Sequence, residues 1–259
     1  MAAYEAYQKA LDGHVIEKVE FYRFRARYPR LHGKNARLSY HGFGGEVTAA
    51  KLYTNQGAAG WGQISDKLET AREVLPLLEG KALSALFACD TGILDDRLHA
   101  FDLPLHDLAG QILGIPVSKM ISDTAAPRVA VYDGAIYMND IIPEDKPFGV
   151  QKVLDDCAFD YALGHRTLKI KIGRGSIWMD HDAGLARDLE VVNIIHEAFP
   201  GAGLMVDAND GYSVADAIAF LEGIENVPLY WFEEPFREEE SSNRRLKEYL
   251  LKRRPRTMI

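Results

Sequence analysis

Apolar and polar residues alternate in two stretches near the start of the chain. The alternation runs from Val15 to Phe24 and, more weakly, from Glu46 to Tyr53, which is the pattern of half-buried strands. Asn55-Gln56-Gly57 then supplies a turn, in which Gly57 can take a positive φ, before the apolar residues 58–62. Together these stretches predict a small antiparallel meander.

Two segments between the predicted strands are rich in turn formers and polar groups. Tyr28 to Asn35 includes Arg30, His32 and Lys34, and a second segment runs from His41 to Gly45. Either segment can be an exposed connection or a lid over a functional site, and composition alone leaves both interpretations open.

Apolar residues recur at helical spacing between Asp66 and Leu113, with Asp66 as the expected N-cap. Gly114 and Pro116 end this helical part. We therefore expect residues 1–125 to form an N-terminal α+β domain.

After Pro127 the pattern changes to short apolar strands that alternate with helices. The predicted strands and helices are, in order, Val129–Ile136, Val150–Leu163, Thr167–Ile172, Asp182–Ala198, Leu204–Asp207, Ser213–Leu221, Tyr230–Glu233 and Ser242–Leu251. Repeating units of this kind predict a parallel sheet covered by helices. Residues 126–259 hold four such units, about half of the roughly 250 residues of a closed eight-unit barrel. They therefore predict a partial (β/α) TIM-type barrel, with a complete open sheet as the alternative and with a fifth strand only beginning at Thr257.

Composition narrows the classes of function. A formal charge of −8 and a pI near 5.5 argue against a nucleic-acid or anionic-membrane partner, and the basic run from Lys252 to Arg256 is interpreted as a solvated loop. The two cysteines, Cys89 and Cys157, are too few for a disulfide framework and do not have the paired spacing of a zinc site. With no secretory or membrane-spanning pattern, we expect a cytoplasmic protein.

Lys169 and Lys171 lie two residues apart in an apolar strand, so they share one face of it. Two neighbouring ammonium groups oppose each other's protonation, which predicts a lowered lysine pKa and a usable base. The alternative interpretation is a solvent-facing edge strand.

Acidic residues end the next two predicted strands. Asp207 and Asn209 would share a face, as a carboxylate ligand beside a neutral amide, although an Asx turn is the simpler interpretation. Glu233 and Glu234 end the fourth strand, where a continued pleat would direct only one of them to a common site. In a barrel, these three strand ends would meet at the C-terminal rim, where barrel enzymes place their active sites.

The segments Gly164–Gly173, Val206–Asn209 and Trp231–Pro235 resemble the mandelate racemase and muconate lactonizing branch of the enolase superfamily. His106–Gly110 and Leu113–Val117 are similar to the last helix of that family's capping domain, so the resemblance covers nearly the whole chain. It implies an α+β capping domain followed by a TIM-type barrel, and removal of the proton next to a substrate carboxylate through an enediolate. The expected chemistry is that of an acid-sugar dehydratase or a racemase or epimerase.

The resemblance also implies roles for individual residues. Lys171 would be the base and Lys169 its electrostatic neighbour, with a Mg²⁺ ion on Asp207 and Glu233. Two further roles follow from the same likeness: Glu234 would support the metal ligands, and Asn209 would lie near the substrate or the metal. A lysine or histidine base that works with magnesium is a general property of the enolase superfamily, so this pairing is implied by the likeness and is not a separate deduction.

We further expect Arg30, His32 and Lys34, as a polar lid, to bind a hydroxylated anionic substrate, which favours the dehydratase. The family takes a third carboxylate ligand from the fifth barrel strand, which this sequence does not reach, so a non-catalytic fragment is the rival hypothesis. Half a barrel leaves strand edges exposed, and we therefore expect a homo-oligomer.

Overall fold

A computed structural model describes residues 2–65, 67–122 and 124–259. The chain divides into two compact units, the first formed by residues 1–26 and 45–129 and the second by residues 27–44 and 130–259. The predicted boundary between residues 125 and 126 stays a prediction. In the described part of the chain, no helix has both the length and the apolar character needed to cross a membrane.

The first unit contains the predicted meander and a set of helices. Its strands and helices are α1 (Ala2–Leu11), β1 (Ile16–His32), β2 (Gly42–Thr54), β3 (Ala59–Gln63), α2 (Leu68–Glu73), α3 (Leu75–Leu78), β4 (Phe87–Ala88), β5 (Gly92–Ile93), α4 (Asp102–Leu113) and α5 (Val117–Ile121). Strands β1 and β2 extend into the second unit. The sheet order is β1-β2-β3, and Gly57 has a φ of 80° in the β2–β3 turn. The predicted meander is therefore confirmed.

Two predictions for this part differ from the structure. The helical region is interrupted between α3 and α4 by β4, β5 and short 3₁₀ turns, where Gly80 and Gly92 take positive φ values that a helix does not accept. Strand β1 continues to His32, so the segment that begins at Tyr28 is mostly strand rather than a loop. Asp66, the expected N-cap, lies outside the described residues.

The second unit is a parallel four-stranded sheet with helices over it. It contains β6 (Asp133–Ile136), α6 (Val150–Ala162), β7 (Thr167–Lys171), α7 (His181–Ala198), β8 (Gly203–Asp207), α8 (Val214–Gly223), β9 (Leu229–Glu233) and α9 (Glu240–Arg253). The strands follow the order β6-β7-β8-β9 and every pair is parallel. This confirms the four predicted strand–helix units and the capping domain followed by a partial TIM-type barrel.

The ends of this sheet have two further features. Met258 pairs in parallel with Trp231, and its amide donates to the Tyr230 carbonyl oxygen at 3.0 Å, so a fifth strand begins where the sequence predicts one. At the other edge, Val129 and Val131 lie outside β6 and are 78% and 73% exposed. The first predicted strand is therefore shorter than expected, because its initial residues lack a packing partner.

The core of the second unit explains which face of β7 carries the polar groups. Leu168, Ile170 and Ile172 are fully buried in one apolar cluster with residues of the helices. Side chains alternate along a strand, so Lys169 and Lys171 must point to the opposite face. Burial of the three aliphatic side chains, at about 1.5–3 kcal/mol each, fixes this orientation.

Candidate active site

Three neighbouring strands bring their polar ends together. Lys171 is the register partner of Asp207 in the β7–β8 pair, and Asp207 is the register partner of Glu233 in the β8–β9 pair. The three residues therefore form one row across the sheet at the C-terminal ends of its strands. Parallel pairing places the C-terminal ends of the strands at the same edge of the sheet, and the register of the two pairs places these residues opposite one another.

The lysine and carboxylate groups are in direct contact. Lys171 Nζ donates to Asp207 Oδ2 at 2.5 Å, and Lys169 Nζ lies 2.5 Å from Glu233 Oε1 and 3.2 Å from Asp207 Oδ2. Both lysines are 7% exposed and Asp207 is 1% exposed. A buried charge is costly without a partner, so this mutual pairing makes the cluster possible.

The electrostatics of this cluster differ from those predicted for two lysines alone. Burial lowers the pKa of Lys169, but the hydrogen bond to Glu233 and the charge of Asp207 outweigh it, and the net effect raises that pKa. The prediction of a lowered pKa is therefore wrong for Lys169, because it ignored the carboxylates of the neighbouring strands. Burial raises the pKa of Asp207, whereas the charge and hydrogen bond of Lys171 hold it below its usual value.

The loops that follow β8 and β9 have unusual backbone conformations. Asn209, Asp210 and Glu234 take φ values of 43°, 59° and 40°, a region that L-residues seldom adopt. Glu234 therefore leaves the pleat, and its carboxylate accepts a hydrogen bond from Asn209 Nδ2 at 3.0 Å. Asn209 Oδ1 in turn accepts from Lys171 Nζ at 3.1 Å. The structure thus brings together six of the predicted site residues: Lys169, Lys171, Asp207, Asn209, Glu233 and Glu234.

The donor set can be tested against a Mg²⁺ ion. Asp207 and Glu233 provide hard carboxylate oxygens that face the same ammonium group, so a cation already occupies the space between them. Mg²⁺ is commonly held by one or two carboxylates while water and substrate complete its octahedron. Among the described residues no group of three potential histidine, cysteine or acidic ligands occurs. The residues fit Mg²⁺ in kind and would supply two of its ligands.

Arg30 and Lys34 are not exposed on a lid. Arg30 is 8% exposed, and its Nε donates to Asp160 Oδ2 at 2.8 Å. Lys34 is 3% exposed, pairs with Glu144, and lies 4.0 Å from the ring centroid of Trp178. The lid interpretation is therefore wrong for these two side chains, because a cation that is buried must find its partners inside the protein. A contact of Arg30 with substrate stays a prediction.

His32 occupies a stack of rings beside the lysines. Its ring centroid is 4.1 Å from that of Tyr28 and 5.1 Å from that of Tyr137, and burial together with nearby positive charge lowers the pKa of its imidazole. Tyr137 also contacts His41, and its ring centroid lies 5.7 Å from Lys171 Nζ. The substrate-binding role of His32 stays a prediction.

Tyr137 and His41 lie beside the site but were not predicted from the sequence to do so. The position of Tyr137, immediately after β6, is a signal that could have identified it, since the ends of the other parallel strands carry the remaining site residues.

Glu233 is partly exposed and lines an open cleft of about 740 Å³ together with Arg244 and Lys247. Such a volume is large enough for a small-molecule ligand.

A family model described as Enolase C-terminal domain-like matches residues 153–254. A hydrophobic dipeptide epimerase from Roseobacter litoralis is 27% identical over 237 residues, which cover 84% of this chain and 61% of that protein. The family-model match includes the strand ends described above.

Solved structures are similar over a longer part of the chain. A galacturonate dehydratase mutant from Geobacillus sp., complexed with Mg, has a TM-score of 0.84 and 29% identity, with 96% of this chain and 64% of that one covered. A mandelate racemase/muconate lactonizing protein from Geobacillus sp. Y412MC10, complexed with magnesium and tartrate, has a TM-score of 0.83, 28% identity and the same coverage. The chain therefore spans less than two thirds of the length of these proteins.

Proposed function

Because this chain belongs to the mandelate racemase and muconate lactonizing enzyme-like branch of the enolase superfamily, we propose that it serves Mg²⁺-dependent removal of the proton α to a substrate carboxylate, through an enediolate. The observation that carries this proposal is the contact of Lys169 and Lys171 with Asp207 and Glu233 at the ends of adjacent parallel strands.

In this proposal Lys171 is the base. It accepts a proton only as the neutral amine, with its lone pair directed at the α-proton. In the structure Lys171 Nζ instead donates to Asp207 Oδ2, and a cation held by Asp207 would engage that carboxylate and leave Nζ free to turn towards the substrate. Lys169 keeps a positive charge next to the reacting group, which its raised pKa supports. Preorganised positive charge of this kind stabilises an anionic transition state with little reorganisation.

Asp207 and Glu233 would hold the Mg²⁺, and Glu234 would keep Asn209 in place through their hydrogen bond. When bound, the metal would supply electrostatic stabilisation for the negative charge that develops on the substrate carboxylate. Asn209, whose amide oxygen meets Lys171 Nζ, would contact the substrate beside the base.

The proposed substrate is a small carboxylate such as an acid sugar, and dehydration is the preferred reaction. The polar lid no longer supports that choice, because Arg30 and Lys34 are buried and paired. Similarity to a galacturonate dehydratase supports it instead, whereas similarity to a dipeptide epimerase keeps racemisation or epimerisation as the competing reaction. A cytoplasmic location and a homo-oligomer remain predictions.

A second candidate function is non-catalytic binding. It is favoured by the donor set of the described residues, in which Asp207 and Glu233 are two carboxylates without a third potential ligand beside them. In that case the chain would bind a divalent cation or a carboxylate without exchanging the α-proton.

Two measurements separate the candidates. Mg²⁺ binding is followed by calorimetry for the wild type, for Asp207→Asn and for Asp210→Asn, a matched control whose carboxylate pairs with Arg37 at 2.8 Å. We expect Asp207→Asn to weaken binding at least about tenfold, because even the loss of a residue that only supports a metal ligand costs about 10- to 100-fold in affinity. The control should leave binding unchanged. Equal binding in all three proteins would remove the metal site from both candidates.

Deuterium incorporation at the α-carbon of a panel of acid sugars is then followed in D₂O. Exchange that requires Mg²⁺ and disappears in Lys171→Ala, but persists in the surface variant Lys252→Ala, supports the catalytic proposal. Exchange that persists after removal of the metal would contradict it. Metal binding without exchange on any substrate would favour the second candidate.

A further inference from the structure

Immediately after β7, the chain buries a complete guanidinium group. Arg174 is 0% exposed, and its Nη1 donates to Asp188 Oδ1 at 2.6 Å while its Nη2 donates to Asp140 Oδ1 at 2.6 Å. Nη1 also donates to the backbone carbonyl oxygen of Lys171 at 3.2 Å. The Arg174 side chain thus binds the main chain of Lys171, the proposed base, which lies three residues earlier.

The carboxylate of Asp188 joins this arginine to the next strand end. Its Oδ2 accepts from the Gly173 amide at 2.8 Å, from the Arg174 amide at 3.2 Å and from the Tyr212 hydroxyl at 2.7 Å. Tyr212 lies in the loop between β8 and α8. One buried carboxylate therefore connects the loop after β7 with the loop after β8.

The charges of this group are balanced inside the protein. Arg187 Nη1 donates to Asp140 Oδ2 at 3.2 Å, so two arginines face two aspartates. A buried ion network is weak evidence for stability, because desolvation offsets much of the attraction. It does fix geometry, since the fork of a guanidinium permits only a narrow set of acceptor positions. The network binds the main chain at Lys171, Gly173 and Arg174, so the backbone that it fixes is the segment that carries Lys171.

We propose that Arg174 is a positioning residue that, through Asp188 and Tyr212, sets the position of Lys171 relative to Asp207 and Asn209. The expected effect on catalysis rests on the proposed function. The expected effect on the position of Lys171 rests only on the hydrogen-bond network. Arg174 itself contacts none of the proposed reacting groups except through the Lys171 main chain.

The test uses the full chain and two variants of different severity. Tyr212→Phe removes the hydroxyl donor to Asp188 and keeps the ring, and Arg174→Lys keeps the charge and loses the fork. Tyr161→Phe, in α6 and outside the network, is the matched control. Lysine labelled with ¹³C at Cε gives NMR signals for Lys169 and Lys171, which are assigned with the corresponding lysine-to-arginine variants.

We expect Tyr212→Phe to shift the Lys171 signal and to lower kcat for α-proton exchange about tenfold or more, with KM changed less than twofold, since small misplacements of a reacting group cost up to about a hundredfold. The control should change neither. An unchanged Lys171 signal in Tyr212→Phe would overturn the proposal, and a lower melting temperature of the same variant would then show a purely structural role for the network.

The NMR result is independent of catalysis. If the wild type shows no exchange, the proposed function fails, while a displaced Lys171 signal in Tyr212→Phe still supports the positioning role. If Arg174→Lys does not fold, Tyr212→Phe alone decides, because it removes a single hydroxyl group.

Discussion

Asp133, at the start of β6, is predicted to destabilise the second unit when it is ionised. Its side chain is 7% exposed, and among the described residues Oδ2 has no hydrogen-bond donor, while Oδ1 accepts from the Ala135 amide at 2.9 Å. Burial, followed by the charge of Asp160, raises the pKa of Asp133 to about 6, against the opposing effects of the Ala135 amide and Arg30. Asp133→Asn replaces this carboxylate by a neutral group of nearly the same shape.

The magnitude follows from the difference between the folded and unfolded pKa values. An aspartate in an unfolded chain has a pKa near 3.9, and each pKa unit corresponds to about 1.4 kcal/mol, so ionised Asp133 costs roughly 3 kcal/mol. Because the folded pKa is the higher one, the stability contributed by the protonated form is fully present below about pH 4 and is lost as the pH rises through about 6. We expect Asp133→Asn to be up to about 3 kcal/mol more stable than the wild type at pH 8 and equal to it at pH 4.

The assay is thermal or urea unfolding between pH 4 and 8. In a Trp61→Phe background the remaining tryptophans, Trp178 and Trp231, both belong to the second unit, so their fluorescence reports on that unit. The exposed Asp145 gives the matched control, Asp145→Asn, for which we expect no stabilisation at pH 8. If Asp133→Asn is less stable than the wild type at pH 8, or if its advantage does not shrink towards pH 4, then ionised Asp133 does not destabilise this unit.

Two further predictions concern the backbone of the second unit. Gly173 has a φ of 98°, and a Cβ there would lie 2.8 Å from Ala36 Cβ and 3.0 Å from the Ala208 carbonyl oxygen, so Gly173→Ala should lower the free energy of unfolding by about 2 kcal/mol or more. Gly164 has a φ of 107° but open space around it, so Gly164→Ala should lower the free energy of unfolding by only about 1 kcal/mol. Equal urea midpoints for the two variants would contradict this prediction. Ser213 caps α8 by accepting from the Asp216 amide at 3.2 Å; Ser213→Ala should cost about 1 kcal/mol in the same assay, and an unchanged midpoint would show that the cap is not needed.

The strand–helix units of the second unit could be predicted because their information is local. Helices and strands of this kind differ in the period of their apolar residues, and parallel strands must end at one edge. The same rules predicted that Lys171, Asp207 and Glu233 would come together, and the structure has these three residues in one row.

Groups whose state depends on distant partners could not be predicted in this way. Arg30 is paired with Asp160, 130 residues further on, so nothing near it in the sequence reveals that it is buried. The left-handed conformation of Glu234, which frees its carboxylate for Asn209, likewise depends on the loop that packs against it.

The alternation of strands and helices, and the face of each strand that carries charge, can be read from the sequence because both follow from side-chain periodicity. Which charges neutralise one another depends on the three-dimensional packing. It paired Lys169 with two carboxylates and raised its pKa, and it enclosed Arg174 between Asp140 and Asp188. Electrostatic energies depend on distance and burial, and neither is a property of the sequence pattern alone.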